Sequence, residues 1–164
     1  MAKPIREKIL DEILARCANI STKNAFEFTV NTVKEAGRDK DTHAPQPLDI
    51  IVDELEVNEN EDLSYPGNPP RVAFDVEYAI NGYARQLDSS DTESNVSDGV
   101  TPTQMGSAIM QTITTGGGWY TFGGNAVIAS LSGSAPLQAP GHEGVTFTLL
   151  VTYRHGENDP YTAG

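Results

Sequence analysis

Hydrophobic and polar residues alternate most regularly near the C-terminus, over residues 144–153. The apolar residues of this segment fall on one face, and the other face carries three threonines and Leu150. Those apolar residues are Val145, Phe147, Leu149, Val151 and Tyr153. A two-residue period of β-branched and aromatic side chains predicts a strand with one buried face. The polar segment from Arg154 to Tyr161 has only a sheet edge of its own chain to pack against. We therefore interpret it as a candidate arm for a neighbouring molecule.

Four other segments follow the same two-residue period and predict strands. They are residues 25–34, 48–57, 71–86 and 126–131. In the first of these, the alternation turns Phe26, Phe28 and Val30 inward. In the second, the apolar face changes near Asp53-Glu54, which predicts a β-bulge.

The segment 71–86 has the longest alternation in the chain. Its dipeptide Asn81-Gly82 is typical of a tight hairpin turn. The residues that follow the dipeptide are too few for a convincing return strand. We therefore expect a bulge or the end of the strand at this point.

Two segments have apolar residues spaced three and four apart, as in an amphipathic helix. The first spans residues 3–20, and Pro4 fits its first turn, where the missing N–H has no cost. The second begins at Thr101, a good N-cap, and Gln104 completes a capping box. The apolar stripes are Ile5, Ile9, Ile13, Cys17 and Ile20 in the first helix and Met105, Ile109, Met110 and Ile113 in the second.

These elements predict an α+β fold with the order α-β-β-β-α-β-β. We expect a two-layer sandwich, in which two helices cover one face of a mainly antiparallel sheet of about five strands. The chain of 164 residues suits one domain, 1–164. Polar residues, glycines and prolines predict mobile loops near residues 35–47, 58–70, 87–100 and 116–125.

The chain is strongly acidic, with 23 acidic and 11 basic residues and a formal net charge of −12. Residues 35–100 hold 16 of the acids. This composition argues against a basic face for nucleic acid, and against binding to an anionic membrane, because both need clustered Lys and Arg. No apolar run approaches the ~18–20 residues that cross a bilayer, and no signal-peptide pattern is present. We therefore expect a soluble protein made in a cytoplasm.

Candidate catalytic and metal-binding residues lack the spacing that their chemistry needs. His43, His142 and His155 fall in predicted loops without metal-ligand spacing. The single cysteine, Cys17, excludes an internal disulfide. The acids of 53–62 do not have EF-hand spacing, and no serine lies in a Gly-x-Ser-x-Gly elbow. We predict a non-enzymatic protein without a metal or cofactor.

The segment 116–125, GGGWYTFGGN, surrounds three aromatic residues with five glycines. Its glycines follow a predicted helix instead of opening one, so a phosphate-binding loop does not fit. Trp and Tyr are frequent in interface hot spots, which makes Trp119, Tyr120 and Phe122 candidate contacts for a partner. The alternative is that Trp119 and Phe122 fold back over the core.

Three segments resemble the tail terminator, or tail-completion, proteins of long-tailed bacteriophages, the group that includes the minor tail protein U type. The segments are residues 5–33, 47–54 and 147–161. The last is the most specific, because it joins an apolar strand to Tyr153-Arg154, a short bend and Asp159-Pro160-Tyr161. The resemblance covers nearly the whole chain in the order of its elements.

The resemblance implies a structural virion protein. Proteins of this family form a ring, typically six-fold, on the head-proximal end of the tail tube, stop its polymerisation and present a surface for joining the head. The implied partners are further copies of the chain in a homohexameric ring, the tail tube protein, a head-closure or neck protein, and viral DNA that passes through without specific binding. The implied location is the head–tail interface of the virion, after assembly in the host cytoplasm. The residues expected to contact partners are Trp119, Tyr120, Phe122, Arg154, Asp159, Pro160 and Tyr161.

Two other functions remain open. One is another neck or tail component, such as a head–tail connector or a tube protein. Tube proteins are usually richer in strands and lack a long N-terminal helix, so the first helix favours a terminator. The other is a small α+β domain that binds or hydrolyses a ligand. The charge adds a hypothesis for the ring, in which acids of residues 53–62 and 88–98 line the lumen and repel DNA phosphates.

Overall fold

The computed structural model describes residues 2–37, 44–67, 69–87, 99–137 and 139–163. These residues form two α-helices and one mixed sheet of seven strands. In chain order the elements are α1 (Ile5–Ala18), β1 (Val33–Glu35), β2 (Ile50–Glu59), β3 (Arg71–Gln86), α2 (Pro102–Ile113), β4 (Ile128–Leu131), β5 (Ala135–Pro136), β6 (His142–Gly156) and β7 (Asp159–Ala163). The predicted α+β class is confirmed. The predicted count of about five strands and the predicted order are wrong, because β5 and β7 add two short strands around the C-terminal strand.

The two longest strands, β3 and β6, form the centre of the sheet. The strand order is β1-β2-β3-β6-β4, and β5 and β7 also pair with β6. The short strand β1 is parallel to β2, and the pairs formed by β3 and β6 are antiparallel. Because β3 pairs with β6 over its full length, β5, β4 and β7 follow one another along the other edge of β6. The described sheet therefore ends in short strands on both sides.

One face of the sheet packs against both helices and forms the core. The predicted inward face of β6 is confirmed, since all five of its apolar residues from Val145 to Tyr153 are buried. They join the buried stripes of α1 and α2 in one hydrophobic cluster. The opposite face, here called the open face, carries residues such as Asp75 and Leu150, which alternate with the buried ones along β3 and β6. This two-layer arrangement leaves one side of the sheet available for contacts.

Both central irregularities of the sheet follow the predicted pattern. The register of β2 shifts between Glu54 and Glu56, which confirms the predicted bulge. The strand β3 runs through Asn81-Gly82 without a turn and bulges between Tyr83 and Arg85. Gly82 serves packing instead of a turn, because a Cβ there would lie 2.6 Å from the Cγ of Met105 in α2.

The predicted strand over residues 25–34 is wrong in its hydrogen bonding. Phe28 is buried, and Phe26 and Val30 pack against the core as predicted. Their backbone, however, bonds to the end of the first helical region, with the N–H of Val30 donating to the Ile20 carbonyl at 3.0 Å. Only β1, three residues long, enters the sheet. In this segment the alternation therefore predicted the buried side chains correctly, but its prediction of a paired strand was wrong.

The helix α2 begins with the predicted capping box. The Thr101 hydroxyl accepts from the Gln104 N–H at 3.2 Å, and the Gln104 side chain accepts from the Thr101 N–H at 2.9 Å. The predicted apolar stripe is wrong at Met110, which is exposed, because Ala108 and Thr112 occupy the buried face on either side of it. Of the predicted mobile loops, residues 38–43, 68 and 88–98 lie outside the described residues.

Candidate interaction surfaces

The predicted C-terminal arm forms a hairpin with its own chain. The strand β7 folds back on β6, with Gly156 opposite Asp159 and His155 opposite Ala163. All five β7 residues are exposed, including Pro160 and Tyr161. The C-terminal segment therefore packs on an edge of its own sheet, and its role as an arm for a neighbouring molecule stays a prediction, since the outer edge of β7 pairs with no other strand of the described chain.

Contacts with α1 and β3 are among those that hold this hairpin to the body of the protein. The Lys8 ammonium of α1 donates to the Tyr161 carbonyl at 2.6 Å. At the base of the hairpin, the His155 ring stacks on Phe74 with 5.4 Å between ring centroids. The Thr162 hydroxyl and the Tyr161 N–H bond to the Asp159 carboxylate and lower its pKa below the ordinary range. The hairpin thus presents a fixed negative charge beside an exposed tyrosine.

The glycine-rich aromatic segment is divided between core and surface. Phe122 is fully buried, so it is no longer a candidate partner contact. Trp119 packs partly against the core, and Tyr120 is exposed, with its ring edge-on to Trp119 at 6.2 Å. The predicted alternative, folding back over the core, holds fully for Phe122 and partly for Trp119. Tyr120 is the aromatic side chain of this segment that remains most available.

Arg16 of α1 fixes this aromatic segment in place. Its guanidinium lies 4.6 Å from the centre of the Phe122 ring, in a cation–π contact. The same group donates to the Ile113 carbonyl at 2.7 Å and to the Trp119 carbonyl at 3.2 Å. A single side chain therefore joins α1, the end of α2 and the segment that presents Tyr120.

The half of the open face formed by β2 and β3 is acidic. Its carboxylates are held by bonds across strands: the Asn81 amide donates to Asp53 at 3.0 Å, and Asn60 donates to Asp75 at 2.9 Å. The Thr152 hydroxyl of β6 also donates to Asp75, at 2.5 Å. Burial raises the pKa of Asp53, and the bond from Asn81 partly opposes that shift. This half of the face is therefore a pre-arranged row of acceptors.

The other half of the open face, formed by β6 and β4, carries hydroxyl side chains together with two exposed apolar residues and one arginine. Ile128 of β4 lies opposite Thr152, and Leu150 and Arg154 are the residues on either side of Thr152 on the same face. Ile128 and Leu150 are 54 % and 41 % exposed. The Nε of Arg154 is buried and has no hydrogen-bond partner within the described ranges. We call Ile128, Leu150 and Arg154 the β4 patch.

The sequence reasoning identified Arg154 but missed the two apolar residues beside it. A signal was present for Leu150, which stands among threonines on the polar face of its strand. No such signal exists for Ile128, since its exposure depends on β4 being the last strand at that point of the sheet. The structure places two exposed apolar residues beside Arg154, which was predicted to contact a partner. The other predicted contacts of the tail, Asp159, Pro160 and Tyr161, lie on a separate strand, β7.

The described residues contain no group of three or more metal-ligating side chains that could hold an ion. Burial raises the pKa of the Cys17 thiol to about 12, which keeps it protonated. His142 contacts Tyr83, and His155 contacts Phe74. His43 lies outside the described part of the chain. None of the helices described is long and apolar enough to span a bilayer.

Comparisons with models of protein families and with curated proteins give no match to this chain.

Proposed function

We propose that the protein is a tail terminator of a long-tailed bacteriophage, which forms a ring on the head-proximal end of the tail tube. The observation that carries this proposal is the division of one open sheet face into an acidic half and a half that carries the β4 patch. A ring needs two different, complementary surfaces on each subunit. Surfaces on opposite sides of one sheet can supply them.

The fold supports this function in a second way. Within the described residues, both sides of the sheet end in short strands, β1 on one side and β4, β5 and β7 on the other. Free edges can pair with strands of another chain. In the ring, they join each subunit to the next. The same ring stops polymerisation of the tube protein and offers its far side to a head-closure protein.

The charge of the chain supports a passage for DNA. Asp53, Asp75 and Glu77 alternate with buried residues, so they face the open side of the sheet. In the proposed ring the acidic half of this side lines the lumen, where fixed carboxylates repel DNA phosphates and prevent them from binding. The protein acts at the head–tail interface of the virion and has no enzymatic role in this proposal.

The richness in strands favours a second candidate, a tail tube protein. The seven-stranded sheet fits that class, whereas α1, with 14 residues, fits a terminator better. Tube proteins polymerise into long tubes, whereas a terminator stops at one ring. The two candidates therefore differ in the assembly they form.

The test combines size-exclusion chromatography with light scattering and electron microscopy of purified tail tubes. We expect closed rings, free in solution or capping one end of each tube, and tubes that stop growing when the protein is added. Long tubes formed by the protein alone would establish the second candidate. A chain that stays monomeric and never binds tube ends would overturn both.

A further inference from the structure

We propose that the β4 patch binds the acidic outer edge of β2 of a second copy, and that this contact closes the ring. The occupant is thus another molecule of the same chain, joined head to tail. The inference rests on the proposed function, since it names the contact by which the ring forms. In this contact, Arg154 of one copy forms an ion pair with Glu56 of the next.

Arg154 is the cation of the β4 patch, and its Nε lacks a hydrogen-bond partner among the described residues. Arg154 lies opposite the fully buried Ala73 on the open face. The next carboxylate along β3 on this face, Asp75, already accepts from Thr152 and Asn60. A buried nitrogen of a charged group is costly when it makes no hydrogen bond, so a carboxylate from outside the chain that accepts from this Nε would relieve the cost.

The two apolar residues of the patch lie close to Arg154. Ile128 is a diagonal neighbour of both Leu150 and Arg154 across the β4–β6 pair. Two exposed aliphatic side chains beside a partly desolvated arginine resemble the centre of a protein interface, in which arginine is enriched. The outer edge of β4 also pairs with no strand of the described chain. The patch therefore combines apolar area, a cation and free backbone groups.

The opposite side of the same sheet carries the complementary features. The strand β1 covers β2 only from Ile50 to Val52, so among the described residues the acidic stretch from Asp53 to Glu59 has no strand on its outer side. Leu55, at the bulge of this edge, is 57 % exposed. Glu56 is exposed and lies on the open face, since it pairs with Glu77, which in turn lies opposite Leu150. One edge thus offers an apolar residue and carboxylates, and the other offers apolar residues and a cation.

The placement of these two edges decides the symmetry. In the strand order, β2 and β4 lie on opposite sides of the central pair β3 and β6. A contact between β2 of one copy and β4 of the next is therefore heterologous, which is the type of contact that a closed ring requires. An Arg–carboxylate pair fixes the orientation of such a contact through its two parallel bonds.

The test is a charge reversal at both ends of the contact. Arg154→Glu and Glu56→Arg are each expected to raise the concentration needed for half-maximal ring formation by about 30-fold or more. The double variant, Arg154→Glu with Glu56→Arg, is expected to restore assembly. Lys23→Glu is the matched control, because it makes the same charge change as Arg154→Glu on an exposed turn that belongs to neither strand of the contact, and it should assemble normally. Light scattering and electron microscopy measure the rings, and circular dichroism checks the fold.

The outcomes separate this contact from the proposed function. If wild-type rings form and both single variants also assemble normally, the contact is wrong while the ring-forming function stands. If the single variants fail and the double variant fails too, the pairing of Arg154 with Glu56 is wrong. If the wild type never forms rings, the proposed function fails first. Should Arg154→Glu not fold, Ile128→Asp, at an exposed position, is expected to block assembly without unfolding, and normal assembly of that variant would overturn the patch.

Discussion

Tyr78 combines a buried aromatic ring, which stabilises the described core, with a buried hydroxyl, which destabilises it. Its ring is fully buried in the helix-facing side of β3, and its hydroxyl finds no hydrogen-bond partner there. Burial, reinforced by the negative charge of Glu54, raises the pKa of Tyr78 above its ordinary value. The ring contributes to packing, whereas the hydroxyl costs free energy because it is removed from water without compensation.

Replacing this hydroxyl should therefore stabilise the protein. We expect Tyr78→Phe to raise the free energy of unfolding by about 1 kcal/mol, the scale of an unsatisfied buried polar group. Urea denaturation followed by circular dichroism measures the change. The matched control is Tyr120→Phe, at an exposed tyrosine, which should alter stability by less than about 0.5 kcal/mol. A clear loss of stability in Tyr78→Phe would show that the hydroxyl has a partner.

Asp53 connects a single residue to the pH dependence of stability. Burial raises its pKa in the folded state. Ionising the carboxyl therefore costs more free energy in the folded protein than in the unfolded chain. Above the folded pKa this cost is fully present, and below the unfolded pKa both states are protonated and the cost disappears. Asp53→Asn keeps an oxygen that can accept from Asn81 but removes the charge.

We therefore expect Asp53→Asn to be more stable than the wild type at pH 7. The difference should shrink as the pH falls through the folded pKa of Asp53 and vanish at lower pH, where the wild-type carboxyl is neutral. Urea denaturation of both proteins at a series of pH values measures it. A difference that stays constant with pH would mean that the ionisation of Asp53 does not carry the effect.

At the scale of elements, two glycines show how closely α2 approaches the sheet. A Cβ on Gly106 of α2 would meet Val145 at 3.6 Å, which is an ordinary contact. A Cβ on Gly82 of β3 would meet Met105 at 2.6 Å and Ile109 at 2.7 Å, which is a clash. A side chain therefore fits at Gly106 in the helix, whereas no space exists for one at Gly82 in the strand.

The same substitution should thus have opposite effects at the two positions. Gly106→Ala is expected to stabilise the protein by about 1 kcal/mol, because alanine favours a helix over glycine by that amount. Gly82→Ala is expected to destabilise it by about 1–3 kcal/mol through overpacking of the helix against the sheet. Thermal and urea unfolding measure both. Equal effects of the two changes would contradict this account of how α2 packs.

The elements that sequence alone could predict are those fixed by local signals. The capping box of Thr101 and Gln104 lies within one helical turn, and the alternation of β6 follows from its own residues. The parallel pairing of β1 with β2 and the closing of β7 on β6 depend on partners elsewhere in the fold. Alternation reports which side chains are buried, and a backbone can bury them without joining a sheet, as Val30 does.

At the scale of the whole molecule, the candidate surfaces depend on which strands end the sheet. The sequence pointed to Arg154 and to the C-terminal tail, because an abrupt change from apolar to polar residues is visible along the chain. It could not reveal that Leu55 and Ile128 lie at opposite sides of one sheet, since that follows from the strand order alone. The acidic charge was evident from composition, but its concentration on one half of the open face needed the register of β2, β3 and β6.

The hairpin of β7 allows a final test that involves the assembled molecule. Its five residues are all exposed, and it extends the same edge of β6 that β4 occupies. Removing residues 157–164 should therefore spare the fold, with unchanged circular dichroism and thermal unfolding, while it removes edge backbone beside the β4 patch. We expect the truncated chain to need a higher concentration for half-maximal ring formation, measured by light scattering.

As a control, Lys8→Ala removes the side chain that bonds to the Tyr161 carbonyl but keeps the strand, so it should have a smaller effect. Normal assembly of the truncated chain would mean that β7 takes no part in the contact and that the edge used by the ring ends at β4.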